Sequence, residues 1–362
     1  MPTNASPAIV KLLIALAIAL AIGVGAFALI RQNQPGGQTE AYKLDMGEQF
    51  RIEPQLIHYQ QAEEFAANVT DPRVMTIGPD DRIYIAGYRA VQILDARGQP
   101  EKQLPLPGKA PTCIAVAGPD HKRPGGVYVG LQNKIRLFTA DGQEAGEWAD
   151  FGPKALFTSL AIAGDSIFAA DAGNRIVLQL DPAGAVQHRI GDSRGGKNAP
   201  GFIIPSPYFD LVAGADGLVH VVNPGARRVE TFASTGELET VWGRAGSNLE
   251  AFFGCCNPAH LARLPDGRFV TSEKGVPRVK IYNSEGKFES VVAGPEQLGV
   301  PLGALGDARE DTEHTVFDIA TDSKGRVMAL DPDRGSVRVF VEAKNDKKAS
   351  DAGAEKEVNS SQ

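Results

Sequence analysis

Cysteine is scarce in this sequence, with three residues among 362, at positions 113, 255 and 256. Three cysteines are too few for the disulfide framework that holds small secreted domains together. Packing must therefore stabilise the fold. Aromatic residues make up only 7% of the chain, whereas 40 glycines and 24 prolines provide for tight turns. This composition favours many short strands joined by turns, and about 300 residues can bury a substantial core as one all-β domain.

Positive charge is in deficit, since the formal net charge is −7 at pH 7. That balance argues against a surface for nucleic-acid phosphates, so we expect no nucleic-acid partner. The sequence also lacks a phosphate-binding loop, a dinucleotide fingerprint and a Ser/His/Asp catalytic signature. These absences exclude the enzyme classes that depend on such motifs.

An apolar run at 12–30 follows the short N-terminal segment 1–11 and is flanked by Lys11 and Arg31. At about 1.5 Å per residue the run spans nearly 30 Å, which matches the hydrocarbon core of a bilayer. We therefore predict a transmembrane signal anchor, with the large domain on the extracytoplasmic (periplasmic) side. A cleaved signal peptide is the alternative, because Ala-Phe-Ala at 26–28 resembles a cleavage site. The anchor is favoured because the run continues past that site.

The segments that flank the predicted main domain have compositions of their own. Residues 31–49 are polar and contain glycine and proline, as linkers do. Residues 343–362 are rich in charge and poor in apolar side chains, which predicts a disordered tail. The main domain is therefore expected to span residues 50–342.

A short segment with the pattern of a β-strand recurs along the chain at intervals of about 40 to 60 residues, which is typical of stacked repeat units. A turn containing glycine or aspartate and an alternating apolar strand precede each copy, and a further turn and strand follow most of them. The copies begin at Val91, Ile135, Ile176, Val229, Val279 and Val337.

Four antiparallel strands per unit and a half-dozen units predict an all-β fold, a six-bladed β-propeller with four-stranded blades. The last copy has no clear fourth strand, because it runs into the charged tail. An open sheet edge would be a liability, so another segment must complete this blade. We expect residues 56–60, which precede the first full unit, to supply its outermost strand.

Residues 169–184 read Ala-Ala-Asp-Ala-Gly-Asn-Arg-Ile-Val-Leu-Gln-Leu-Asp-Pro-Ala-Gly, and this segment resembles the NHL repeat. Residues 201–205, Gly-Phe-Ile-Ile-Pro, are similar to the segment that opens an NHL unit. The resemblance covers about residues 70–341. It implies a six-bladed NHL-like propeller, and it says little about function, since a fold hosts many activities.

The largest departure from the repeat is the segment Phe-Gly-Cys-Cys-Asn-Pro at 253–258, where two residues are expected between Phe and Pro and four occur. The sequence leaves three states open for Cys255 and Cys256. They could form a vicinal disulfide, bind a soft metal as thiolates, or remain reduced and only shape the loop. The last is favoured, because buried cysteines more often pack than react. Asn257 shares this loop.

In a propeller, loops that enter the innermost strands and loops between second and third strands lie on one face, around the central channel. Asp171, Asn223, Glu273 and Asp331 occupy equivalent positions in loops of the second kind and are candidates for ligand binding. Glu273 is also a candidate general base, with Lys274 as an anion-binding group. The simpler interpretation is that Glu273 caps its loop by hydrogen bonds to backbone amides.

The sequence predicts no definite cofactor but leaves a bound metal ion as an alternative, with Cys255, Cys256, His260 and His314 as candidate ligands. No tight ligand spacing such as Cys-x-x-Cys supports it.

We therefore favour a binding or scaffold module over an enzyme, with a protein, peptide or carbohydrate as the ligand of the loop face. Related propellers include lyases and hydrolases with a metal at the channel, so the resemblance implies such an enzyme as an alternative. A redox or metal-handling protein that uses Cys255 and Cys256 is the third hypothesis.

Overall fold

The computed structural model describes residues 8, 20, 48–108, 110–149, 151–191, 201–214, 216–302, 305 and 316–343. The chain divides into two units, Met1–Met46 and Gly47–Gln362. All described residues except Ala8 and Leu20 belong to the second unit.

The second unit is a six-bladed β-propeller in which every blade is a four-stranded antiparallel sheet. The first three blades consist of β2 (Val74–Ile77), β3 (Ile83–Gly87), β4 (Ala90–Leu94) and β5 (Pro100–Pro105); β6 (Cys113–Val116), β7 (Val127–Gly130), β8 (Ile135–Phe138) and β9 (Glu144–Trp148); and β10 (Phe157–Ala163), β11 (Ser166–Asp171), β12 (Ile176–Leu180) and β13 (Val186–Ile190). The last three consist of β14 (Leu211–Ala213), β15 (Leu218–Asn223), β16 (Arg228–Ala233) and β17 (Leu238–Trp242); β18 (His260–Arg263), β19 (Phe269–Ser272), β20 (Val279–Tyr282) and β21 (Phe288–Ala293); and β22 (Asp318–Thr321), β23 (Val327–Asp331), β24 (Ser336–Glu342) and β1 (Tyr59–Ala66). The predicted all-β fold, a six-bladed β-propeller with four-stranded antiparallel blades, is confirmed.

The N-terminal strand closes the last blade, as expected. Strand β1 pairs antiparallel with β24, from Tyr59 opposite Glu342 to Ala66 opposite Ser336. The predicted position at 56–60 is wrong for its first part, since the strand begins at Tyr59. A 3-10 helix, Pro54–Leu56, precedes it, because Pro54 lacks the N–H that a strand ladder needs and suits the first turn of a helix.

A second 3-10 helix, Glu48–Phe50, lies further upstream. Among the described residues, no helix is long and apolar enough to cross a membrane. The predicted span at 12–30 lies outside the described residues apart from Leu20, and the predicted tail at 343–362 does so apart from Ala343.

The core follows from the alternation within the strands. Side chains on the two faces of each blade pack against the two neighbouring blades, and the buried apolar residues form one cluster at each of the six blade contacts. Fully buried strands such as β3 and β23 lie near the middle of a blade. Outer strands such as β5 and β13 are mostly exposed.

The predicted turns between third and fourth strands are built on side chains that accept backbone hydrogen bonds. The Asp95 carboxylate accepts from the N–H groups of Arg97 and Gln99, each at 2.8 Å. Gly286 follows the equivalent turn of the fifth blade with φ +78°, and a Cβ there would lie 2.1 Å from the Trp242 side chain. Glycine is therefore required at this turn for both its backbone conformation and its size.

Candidate functional site

Each blade contributes one residue to the central channel at the same level, from its innermost strand or, in the fourth blade, from the position directly before that strand. In each blade this residue pairs with the last or the last-but-one residue of the second strand. It therefore lies close to the channel mouth, where the entry loops arrive. We call these residues the channel ring; in blade order they are Val74, Cys113, Ser159, Asp210, His260 and Asp318. All of them line a central cavity of about 290 Å³.

The ionisable half of the channel ring is centred on His260. The imidazole Nδ1 lies 3.5 Å from Asp210 Oδ2 and 3.4 Å from Asp318 Oδ1. Its side chain is 19% exposed, and those of Asp210 and Asp318 are 16% and 12% exposed. The ring thus offers a histidine between two carboxylates that are poorly hydrated but reachable from the channel.

Both carboxylates also connect neighbouring blades. Asp210 Oδ2 accepts the N–H of Leu261 at 2.8 Å, and Asp318 Oδ2 accepts the N–H of Met75 at 2.6 Å. The first bond joins the fourth blade to the fifth, and the second joins the sixth blade to the first. These bonds fix the carboxylates in place, and each oxygen keeps acceptor capacity for a further partner.

Burial and mutual charge shift the protonation of this group. Burial raises the pKa of Asp318 to about 6. Burial by itself lowers the pKa of His260, but the charges of Asp318 and Asp210 outweigh it and raise that pKa overall. Burial also raises the pKa of the Cys113 thiol to about 12, so this thiol is neutral at physiological pH.

Two further side chains, Tyr208 and Lys274, form a chain of contacts from His260 of the channel ring to the loops at the mouth. The Tyr208 ring lies edge-on to the His260 ring, with centroids 6.0 Å apart. The Lys274 ammonium lies 5.1 Å from the centre of the Tyr208 ring. Of the predicted site residues, His260 and Lys274 are therefore brought to the channel mouth.

Sequence reasoning missed Tyr208, Asp210 and Asp318. The entry segments of the fourth, fifth and sixth units contain Asp210, His260 and Asp318 at equivalent positions. An alignment of the inner strands by position would have revealed this equivalence, whereas an alignment by NHL motif does not.

The vicinal cysteines lie in the loop that enters β18. Their sulfur atoms are 3.2 Å apart, and both residues are free thiols, Cys255 exposed and Cys256 buried. The hydrogen bond between the two thiols is the main cause of a raised pKa at Cys255. A raised pKa reduces the thiolate fraction at neutral pH and so weakens nucleophilic reactivity.

Asn257 is buried and joins this entry loop to the loop after β19. Its Nδ2 donates to the carbonyl of Lys274 at 2.9 Å and to that of Phe253 at 2.5 Å, and its Oδ1 accepts the N–H of Lys274 at 2.6 Å. The amide is therefore fully used within the protein. Its geometry supports a structural function and leaves little capacity for a ligand.

Glu273 is fully buried beside Arg278 and Lys280. Its Oε2 lies 2.5 Å from Arg278 Nε, and its Oε1 lies 3.2 Å from Lys280 Nζ. Lys280 also donates to the carbonyls of Leu249 and Ala251, and burial lowers its pKa to about 8. A carboxylate enclosed by two cations is out of reach of a substrate, so this geometry opposes a general base at Glu273.

Asp171, Asn223 and Asp331, at the ends of the other second strands, are also buried and bound. Asp171 Oδ1 accepts the N–H of Leu156 at 3.0 Å, and Asn223 Oδ1 accepts that of Ile203 at 3.0 Å. Both bonds tie an entry loop to its blade. The hydrogen-bonding capacity of these residues serves the loops more than a ligand.

The described residues contain no group of three or more His, Cys, Asp or Glu side chains that could hold a metal ion. His314, one of the four candidate ligands, lies outside the described residues. The metal hypothesis thus rests on the sequence alone.

No protein-family model matches this chain, and no curated protein matches it in sequence. Solved propellers are nevertheless similar in structure. A streptogramin B lyase gives a TM-score of 0.53 at 15% identity, with 78% of this chain and 97% of the lyase covered. A virginiamycin B lyase from Staphylococcus aureus, in its selenomethionine form, gives 0.50 at 11% identity, with 78% and 99% covered. Similarity at such low identity shows the β-propeller fold alone.

Proposed function

We propose that this protein is a membrane-anchored, extracytoplasmic NHL-type propeller that binds a ligand through the loop face around its channel mouth. The apolar run at 12–30 supports the anchor, and the pattern at 169–184 supports the NHL relationship. The ligand is a protein, peptide or carbohydrate that places a small group in the channel. Net negative charge makes a nucleic-acid ligand unfavourable.

The observation that carries this proposal is the group formed by Tyr208 and Lys274 with His260, which lines a cavity of about 290 Å³. A concave site with a few convergent polar groups and shifted pKa values is the usual form of a binding site. Exposed apolar side chains on loops of the same face, Tyr88 at 50% and Ile203 at 54%, would extend the contact of a longer ligand.

Peptide and glycan arrays test the proposal, with residues 47–362 as the probe protein. We expect a subset of array members to bind, and Tyr208→Ala to weaken that binding by at least about tenfold, as for an aromatic contact at the centre of an interface. Val241→Ala, which alters an exposed side chain of the outer strand β17, is the control and should bind as the wild type does. Equal binding by both variants, or no binding by the wild type, would reject the loop-face proposal.

A lyase is the second candidate, and His260 is the observation that favours it. An imidazole between two carboxylates, with a raised pKa, suits general acid–base catalysis at the channel mouth. The two solved structures described above are lyases by name, so streptogramin B is the substrate to try first. Conversion of streptogramin B by the wild type and not by His260→Ala, followed by mass spectrometry, would support this candidate; an inert wild type would reject it for this substrate.

The third candidate uses Cys255 and Cys256 for redox or metal handling, and the 3.2 Å separation of their sulfur atoms favours it. Metal analysis and thiol counting on the purified protein and on the Cys255→Ala/Cys256→Ala variant decide it. A stoichiometric metal or a disulfide that the variant loses would support this candidate.

A further inference from the structure

The channel ring carries an unbalanced charge. Asp210 and Asp318 contribute two carboxylates, and His260 is the base that faces them. The opposite half of the ring consists of Val74, Cys113 and Ser159, none of which is a cation. Even with His260 protonated, the ring holds more negative than positive charge in a poorly hydrated place, and such a place attracts a further cation.

The side chains that line the channel beneath the ring are small. Two residues further along each inner strand, the alternation of the strands brings the next set of side chains towards the channel. These residues are Thr76, Ala115, Ala161, Val212, Ala262 and Ala320, and they line the same cavity as the ring. All six side chains are short, and all but Thr76 are apolar, so they leave room for an alkyl chain, whereas a bare ion would leave most of this space unfilled.

We propose that the channel ring binds a primary ammonium group carried on a short alkyl chain, with Asp210 and Asp318 as its acceptors and His260 as a competing cation. This inference deepens the loop-face function and rests on it for the rest of the ligand. An ammonium group is a compact charge with three donors, and the fixed carboxylate oxygens offer acceptors from two sides. Ser159 Oγ, which exchanges weak hydrogen bonds of 3.3 and 3.4 Å with the backbone of Leu211, offers a third.

Competition with the proton on His260 gives the site a pH dependence of definite sign. A bound ammonium repels the imidazolium, so binding lowers the pKa of His260, and by linkage the affinity rises as pH rises through that pKa. Ionisation of Asp318, with a pKa of about 6, acts in the same direction. The other titratable or charged groups around the site are Asp210, the neutral thiol of Cys113, Tyr208 against the His260 ring, and Lys274 at the mouth. Arg263, further along β18, lines the same cavity and is paired with Asp216 at 2.9 Å.

The test uses n-butylammonium as the probe and calorimetry on the purified full chain. We expect binding at one site, with an affinity that rises between pH 5 and pH 8 and falls by at least about tenfold in Asp210→Asn and in Asp318→Asn. Asp266→Asn, which alters an exposed turn, is the matched control and should bind as the wild type does. In His260→Gln the binding should persist with a weaker pH dependence.

Histidine-selective NMR on the wild type supplies a second measurement that does not depend on any variant's folding. Saturating n-butylammonium should lower the pKa of the His260 imidazole, whereas n-butanol and butyrate should leave it unchanged. Equal binding of the neutral or anionic probe, an affinity that falls as pH rises, or a His260 pKa unmoved by the ammonium would overturn the inference.

Three further probes distinguish the sources of the ammonium group: triglycine amide for a peptide N-terminus, N-acetyl-lysine amide for a side chain, and glucosamine for a sugar. Failure of this inference is distinguishable from failure of the loop-face proposal. Array ligands that need Tyr208, without any ammonium binding, reject the ring site alone. Ammonium binding without any array ligand rejects the loop-face proposal and leaves the ring site standing.

Discussion

At the scale of single residues, ionisable side chains serve two different purposes in this propeller. Glu273, Arg278 and Lys280 are buried and form ion pairs with one another, with each side chain at most 3% exposed. His260, Asp210 and Asp318 are partly exposed, and their charges are only partly balanced. The first set holds a loop in place, and the second has capacity for a ligand.

Glu273→Gln should destabilise the protein strongly. The substitution leaves Arg278 and Lys280 as buried cations without a carboxylate, and loss of one partner from a buried ion pair costs about 3–5 kcal/mol. Urea unfolding at pH 7 measures the effect. Glu285→Gln, in an exposed turn, should change the free energy of unfolding by less than about 0.5 kcal/mol. Equal effects of the two substitutions would show that the buried ion pairs contribute little.

Residue types and motifs in the sequence predicted which loops approach the channel and two of the side chains there, His260 and Lys274, but not the carboxylates beside His260. Glu273 was identified because its position matches Asp171 and Asn223, and that same equivalence explains why it is buried: each of the three lies at the end of a second strand or directly after it and anchors a loop. Asp210 and Asp318 were missed because their importance depends on the register of short inner strands. That register is set by pairing and packing, which a motif does not encode.

At the scale of elements, β1 is the strand that holds the ring of blades closed. Phe65 and Tyr59 belong to different core clusters, since Tyr59 packs between the fifth and sixth blades and Phe65 between the sixth and the first. Glu64 adds an ion pair with Arg338 at 3.7 Å and accepts a hydrogen bond from Ser336 at 2.8 Å. The strand therefore connects the last blade to both of its neighbours.

Removal of β1 should open the propeller. A chain that begins at residue 47 should remain monomeric and unfold in one cooperative urea transition. A chain that begins at residue 67 lacks β1, which exposes the edge of β24 and removes Tyr59 and Phe65 from two core clusters. It should therefore aggregate or unfold at a lower urea concentration. Size-exclusion chromatography and urea unfolding compare the two. Identical behaviour would mean that β1 contributes nothing to closure.

The number of blades, the four-strand pattern and the need for a closing strand could all be predicted from the sequence, because turn chemistry and period-2 alternation are local signals. The exact strand was harder to locate. The sequence of the strand Tyr59–Ala66 is mostly polar, because an outermost strand is exposed on both faces. Only Tyr59 is buried among its residues. Such a strand carries almost no hydrophobic period to detect.

At the scale of the whole molecule, the propeller combines a rigid ring of blades with one asymmetric channel. Every blade contact has its own apolar cluster, so the scaffold is continuous around the axis. The carboxylates and the imidazole of the channel ring, by contrast, all come from the last three blades. Repetition thus builds the scaffold, and differences between the copies build the candidate site.

Attachment to the membrane is the prediction that concerns the chain as a whole. If 12–30 is an uncleaved anchor, the mature protein keeps its N-terminal residues, stays in the membrane pellet after a carbonate wash and dissolves in detergent, because a span of this length partitions strongly into the bilayer. Intact-mass analysis of the mature protein is the measurement. A mature chain that begins after residue 28 and is recovered without detergent would establish a cleaved signal peptide instead. The propeller would then carry its channel site free in the extracytoplasmic space, where both membrane-bound and diffusing ligands could reach it.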